Sequence, residues 1–344
     1  MEFLSKPVRV LSRLLPAGVL GWWLLAASPV AEAAAAWDIR QVGGEDYVSA
    51  DNLKQFYKFK TMTRSGNIVT LENPRVVMKL AIGSAECTMN RVKFVFSKPV
   101  TEINSKAYIS RTDLSKLVDP VLRPNFIKNA GNFRTVILDP GHGGKDPGAT
   151  NPYGTEAAYN LQTANLIKAE LVKLGFKVVM TRTTDRFLSL QERVDFANSV
   201  REDAIFISIH YNSGGRAARG IETFTLSPPG VAHYGRGVVA ADSFLRAGNE
   251  HDSANVALAT ATHGMVTRSL GSNTFDRGIK RARYTVLSGV RHPAILLEGG
   301  FMSHPYEARM LAKPEYQAQL AKGVAAAVAK YRIAVTRPIA APPN

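Results

Sequence analysis

From Phe133 onward the chain repeats one pattern, a short continuous apolar run followed by a longer stretch with apolar residues at helical spacing. The runs TVILD, KVVMT, AIFISIH, IETFTL and AILLE alternate with stretches over 156–174, 188–202, 254–270 and 314–331 that predict helices. Leu161, Ala164, Ile167, Leu171 and Leu174 share one face of the first helix. Tyr316, Leu320, Val324, Val328 and Tyr331 share a face of the last, which Pro314 is placed to begin. Strands without polar alternation are buried on both sides. The pattern therefore predicts an α/β fold over 133–332, a mostly parallel sheet covered by helices on both faces.

Residues 37–125 have a different texture, with short extended runs such as NIVTLEN, RVVMKLAIGS and VKFVFSKPV between turn residues. Val92, Phe94 and Phe96 alternate as in a half-buried strand, and DNLKQFYKF predicts a short helix. This reads as a small β-rich domain preceding the α/β region. Its texture, ending in YISRTDLSKLVDPVL, resembles the copper amine oxidase N-terminal-like domain, a resemblance that implies no copper.

Residues 1–36 place Lys6, Arg9 and Arg13 before the apolar run LLPAGVLGWWLLAA, with small residues at Ala31 and Ala33. That is the pattern of a secretory signal peptide, and the run is too short for a span of roughly 20 residues. The expectation is an exported protein of the periplasm or cell wall that meets the membrane only during export. Residues 333–344 read as a Pro-rich tail.

The 43 Lys+Arg against 28 Asp+Glu give a net charge of +15. The first 36 residues account for only one unit of it, so +14 belongs to the mature chain, +5 on residues 37–125 and +9 beyond. A polyanionic partner is implied. Export and the lack of a basic run with interleaved aromatics argue against nucleic acid. The single Cys87 excludes both an internal disulfide and a cysteine-rich metal site, and it reads as a buried, reduced apolar residue.

In an open α/β sheet the ligand site lies beyond the carboxyl ends of the strands. Three apolar runs end there in polar residues: Pro140-Gly141-His142-Gly143-Gly144, Ile209-His210-Tyr211-Asn212 and Glu298-Gly299-Gly300. The glycine loop matches neither a P-loop nor a dinucleotide fingerprint. Two histidines and a glutamate with an open fourth position form a known zinc set, with a further acid as general base. Glu156 and Glu298 are both candidates for each acidic role.

The strings VILDPGHGGKDPGA, TE at 155–156, FISIHYN, GIETFTL and PAILLEGGFMSHPYEARML resemble the catalytic domain of zinc-dependent N-acetylmuramoyl-L-alanine amidases over about 200 residues. The resemblance implies zinc held by His142, Glu156 and His210, with Glu298 as catalytic base. It makes Asn212 a substrate or supporting contact and peptidoglycan the substrate. Ala157 and His304 depart from the family pattern without removing any of these groups.

Five cations fall between Arg277 and Arg291, and Arg281 and Arg283 among them are expected to orient the carboxylates of the peptide stem. Residues 227–253 interrupt the strand–helix rhythm. Related enzymes can carry a helix that blocks the zinc site until a protein activator displaces it. The preferred reading is a substrate-contacting loop, with His233 and His251 solvent-exposed. Two alternatives remain at this point, an exported zinc peptidase or carboxypeptidase and a catalytically silent wall-binding protein.

Overall fold

A computed structural model describes residues 37–338, apart from Asn129, Gly131, Asn132 and Asn273. The signal segment expected over 1–36 and the end of the tail, 339–344, lie outside the described residues. The start of the expected tail is helical, because the last helix runs through Pro314–Thr336.

Eleven strands form one sheet, in the order Lys177–Met180, Thr135–Pro140, Ala204–Asn212, Ala294–Phe301, Ile221–Leu226, Asp276–Ala282, Val92–Val95, Glu86–Met89, Val77–Ala81, Ile68–Glu72 and Thr61–Ser65. Of fourteen strand pairings among the described residues, five are parallel and nine antiparallel. The mostly parallel sheet expected from the sequence is therefore corrected to a mixed one. Ile221–Leu226 runs antiparallel to Ala294–Phe301, and the strands before Phe96 are joined as hairpins. Apolar runs report burial and carry no information on direction.

Residues 37–125 are β-rich, but their strands continue this sheet. Phe94 pairs with Ile279, and both belong to a core that also holds Leu71, Leu80, Val266 and Val324. A second, four-stranded antiparallel sheet comprises Ile39–Val42, Glu45–Ser49, Lys106–Ser110 and Thr101–Ile103. Cys87 is buried and unpaired within the shared core.

Helices Glu156–Lys173, Asp252–Leu270 and Pro314–Thr336 pack together over one face of the sheet, while Leu190–Ser199 and Thr285–Gly289 cover the other. The alternation of side chains sorts each central strand between them. Val136, Leu138, Ile205, Ile207, Ile295 and Leu297 face the three-helix side. Ile137, Phe206, Ala294 and Leu296 face the smaller layer. Burying each large apolar side chain contributes about 1.5–3 kcal/mol. The same parity carries Asp139, Ser208, His210 and Glu298 onto the face of the smaller layer.

Candidate metal centre and active site

The strand Thr135–Pro140 is buried throughout and ends in the glycine loop. Gly141 leaves no room for a side chain, because a Cβ there would lie 2.1 Å from the His210 ring. His142 adopts φ 58°, a left-handed conformation that costs a non-glycine residue energy and must be held by its surroundings. Two buried arginines hold the loop. Arg182 donates from Nε to Pro140 O at 2.9 Å and from Nη2 to Gly141 O and Ala157 O, both at 2.8 Å. Arg193 donates to Pro140 O and His142 O at 2.8 Å and pairs with buried Asp139 at 2.7 Å. Thr181 and Ser208 donate to the remaining positions of that carboxylate.

Thr155 caps the helix Glu156–Lys173, so Glu156 begins it with its carboxylate turned toward the strand ends. Glu156 Oε1 lies 3.1 Å from His142 Nε2 and 2.8 Å from His210 Nδ1, and Oε2 accepts from Ala149 N at 3.0 Å. Burial opposes its charge, but the two imidazoles outweigh burial and hold its carboxyl far below the usual carboxylate range. His142 Nδ1 meets Asp146 Oδ2 at 2.8 Å, which fixes the ring with Nε2 facing inward. Burial lowers the proton affinity of His142, and its bonds to Glu156 and Asp146 raise it overall.

The ligand atoms of His142, Glu156 and His210 all lie within 4.8 Å of one another, so the three could hold a metal ion. Glu298 is opposite His210 in the neighbouring strand. It is 8% exposed, and its Oε2 has no hydrogen-bond partner among the described residues. Burial, with the nearby charges of Glu156 and Glu222, raises its pKa well above the carboxylate range. A cavity of about 370 Å³ opens over His142, His210 and Glu298, walled by Phe187, Leu190 and Val286.

A family model described as N-acetylmuramoyl-L-alanine amidase matches residues 136–330, more than half of the chain. The chain belongs to this amidase family. AmiC of Neisseria meningitidis, named an N-acetylmuramoyl-L-alanine amidase, is 31% identical over 228 residues, covering 58% of this chain and 53% of AmiC. YqiI of Bacillus subtilis is 31% identical over 199 residues, covering 58% of this chain and 84% of YqiI. The solved catalytic domain of CwlV from Bacillus (Paenibacillus) polymyxa var. colistinus is 30% identical, with TM-score 0.48, covering 58% of this chain and 98% of that domain.

Ala157 is buried and gives its carbonyl to Arg182, and His304 caps the helix Pro305–Leu311. Asn212 donates to Glu222 Oε2 at 3.2 Å, and Glu222 also pairs with Arg277 and with Lys280 at 2.7 Å. Arg281 is buried, and the charges of Asp113 and Asp252 only partly offset the desolvation that lowers its pKa. It shares parity with Ile279 on the three-helix face, so it does not join the residues around Glu298. Arg283 lines the cavity, yet its Nη2 is spent on Pro228 O, Val231 O and Asp242 O at 2.9, 3.0 and 2.6 Å.

Arg283 therefore anchors residues 227–253, which carry two short 3-10 turns, Ala240–Ser243 and Ala247–His251. None of the residues that line the cavity comes from this segment. His233 and His251 are half-buried rather than exposed; His233 accepts from Arg283 N and His251 meets Arg291 O, both at 3.0 Å. The sequence reading missed Asp139, Asp146, Arg182, Arg193 and Glu222. Asp139 alone carried a signal, a carboxylate at the end of an apolar strand.

Proposed function

We propose that this protein is exported and hydrolyses the amide between N-acetylmuramic acid and the L-alanine of the peptide stem in peptidoglycan. The observation that carries the reading is a buried carboxylate, Glu298, with an unpartnered oxygen beside a converged His–Glu–His group in an amidase-family chain. Two imidazoles and one carboxylate suit zinc, and His142, Glu156 and His210 would hold it. Bound there, the ion supplies Lewis-acid chemistry that brings the pKa of water toward neutrality and polarises the scissile carbonyl.

The chain's own groups supply the proton movement. Glu298 Oε2, which has no other hydrogen-bond partner among the described residues, accepts the proton released as water adds to the carbonyl carbon. Glu298 returns that proton to the nitrogen as the carbon–nitrogen bond breaks, so the stem leaves as a neutral amine. Asp146 holds the His142 ring, and Arg182 and Arg193 hold the loop beneath it, so little rearrangement is needed on binding. The apolar wall of Phe187, Leu190 and Val286 offers a surface for the lactyl and alanyl methyl groups.

Digestion of purified sacculi followed by mass spectrometry tests this reading. Free stems beginning with L-alanine are expected. Products cut within the stem would favour a peptidase, and no release would favour a silent wall-binding protein. Glu298→Gln is expected to lower turnover by roughly 10²–10⁴-fold while metal analysis still finds about one zinc per chain.

A further inference from the structure

A groove of about 400 Å³ lies on the opposite end of the large sheet from Lys177–Met180, between the helix Ala50–Phe56 and the turn at Asn73–Val76. Among the described residues that line it, Lys58, Lys60, Arg75 and Arg123 are cations and none is a carboxylate. Among the described residues Lys58, Lys60 and Arg75 make no ion pair, whereas Arg123 pairs with Asp119 at 2.7 Å. The Arg123 guanidinium lies 4.6 Å from the Phe56 ring and 4.7 Å from the Phe126 ring. Trp37 meets Phe56 at 5.4 Å, and all three of these rings are exposed at 41–47%.

Lys58 stands in a conformation that glycine takes at lower cost. It follows the helix C-cap Tyr57 with φ 54°, donating to Gln55 O at 3.2 Å while Phe59 donates to Lys54 O at 2.9 Å. This is the Schellman ending, whose left-handed residue is usually glycine. The lysine therefore carries local strain and leaves an unpaired ammonium at the mouth of an aromatic groove.

Unpaired cations suit carboxylates, and the exposed part of the Phe56 ring beside the Arg123 guanidinium offers apolar contact to the C–H groups of sugars. We propose that this groove is a second binding site, separate from the catalytic cavity, for the carboxylate-bearing glycan–peptide polymer of the wall. The choice of that polymer over other polyanions rests on the amidase reading. Exposed aromatics beside cations also suit single-stranded nucleic acid, which the test includes.

The test uses the full mature chain carrying Glu298→Gln, so that binding is read without turnover. Its cosedimentation with purified sacculi, stripped of secondary polymers, is compared with that of the same chain carrying Lys58→Gly, Lys60→Ala and Arg75→Ala. The half-saturating concentration is expected to rise roughly tenfold. Phe56→Ala should raise it severalfold by itself. Lys58→Gly relieves the left-handed strain, so an unchanged or higher thermal midpoint is expected for that single variant. With Glu298 intact, the triple variant should cleave small soluble fragments at the normal rate. Unchanged sedimentation of the triple variant overturns the proposal, as does displacement by a single-stranded oligonucleotide as effective as displacement by soluble glycan chains. Failure of the amidase reading shows separately, in the products released by the chain with Glu298.

Discussion

Glu298 and Arg193 show opposite ways of placing a charged group in a closed interior. Arg193 is matched: its guanidinium meets Asp139 and two loop carbonyls, and both partners are almost fully buried. Removing one member of such a pair strands the other, so Arg193→Met is expected to cost about 3–5 kcal/mol in urea unfolding. Glu298 is unmatched on one oxygen, and its raised pKa means that the folded state binds its proton more tightly than the unfolded chain. Its contribution is fully present below the ordinary carboxylate pKa and is lost as pH rises through the folded value. The metal-free Glu298→Gln protein is therefore expected to exceed the metal-free parent in stability by about 1–3 kcal/mol at alkaline pH. The gap should close as pH falls toward 4, read as thermal midpoints across the series. A gap independent of pH would remove Glu298 as its source. His142, His210 and Glu298 could be named from the sequence because polar residues at the ends of apolar strands are rare, whereas Glu156, at the start of a helix, is singled out by the resemblance to the amidases. Arg182 and Arg193 could not, since an arginine after a strand or on a helix reads as exposed until the carbonyls it serves are located.

The helices began and ended near the positions their periodicity marked, since caps such as Ser189 with Glu192 and the proline of Pro314–Thr336 are local features. Strand direction and the face of each strand were hidden. Both faces of the central strands are apolar, so spacing alone does not separate Arg281 from Lys280. The structure does, turning Arg281 to the three-helix side and Lys280 to Glu222. The loop after Thr135–Pro140 depends on one missing side chain. Gly141 faces His210 so closely that Gly141→Ala must displace either the ring or the loop held by Arg182. A destabilisation of about 1–3 kcal/mol is expected, with a larger loss of metal retention in dialysis against a chelator. Zinc retained at the parent level would show that the ring tolerates displacement.

The change in sequence texture near residue 125 suggested a separate small β-rich domain ahead of the α/β region. The sheet shows why the change in texture is not a boundary between cores. Val92–Val95 lies against Asp276–Ala282, Asp276 accepts from Lys93 N at 3.1 Å and from His263 Nε2 at 2.8 Å, and Phe94 is fully buried among residues from both regions. Hydrophobic pattern shows that a strand has a buried face without naming what buries it. A chain starting at Phe133 would leave Asp276–Ala282 as an open edge beside uncovered Ile279, a template for pairing with another copy. It is expected to lose several kcal/mol in denaturant midpoint analysis and to associate with rising concentration in sedimentation velocity. A monomer with the parent's midpoint would show that residues 37–125 pack against the amidase-family region without supporting it.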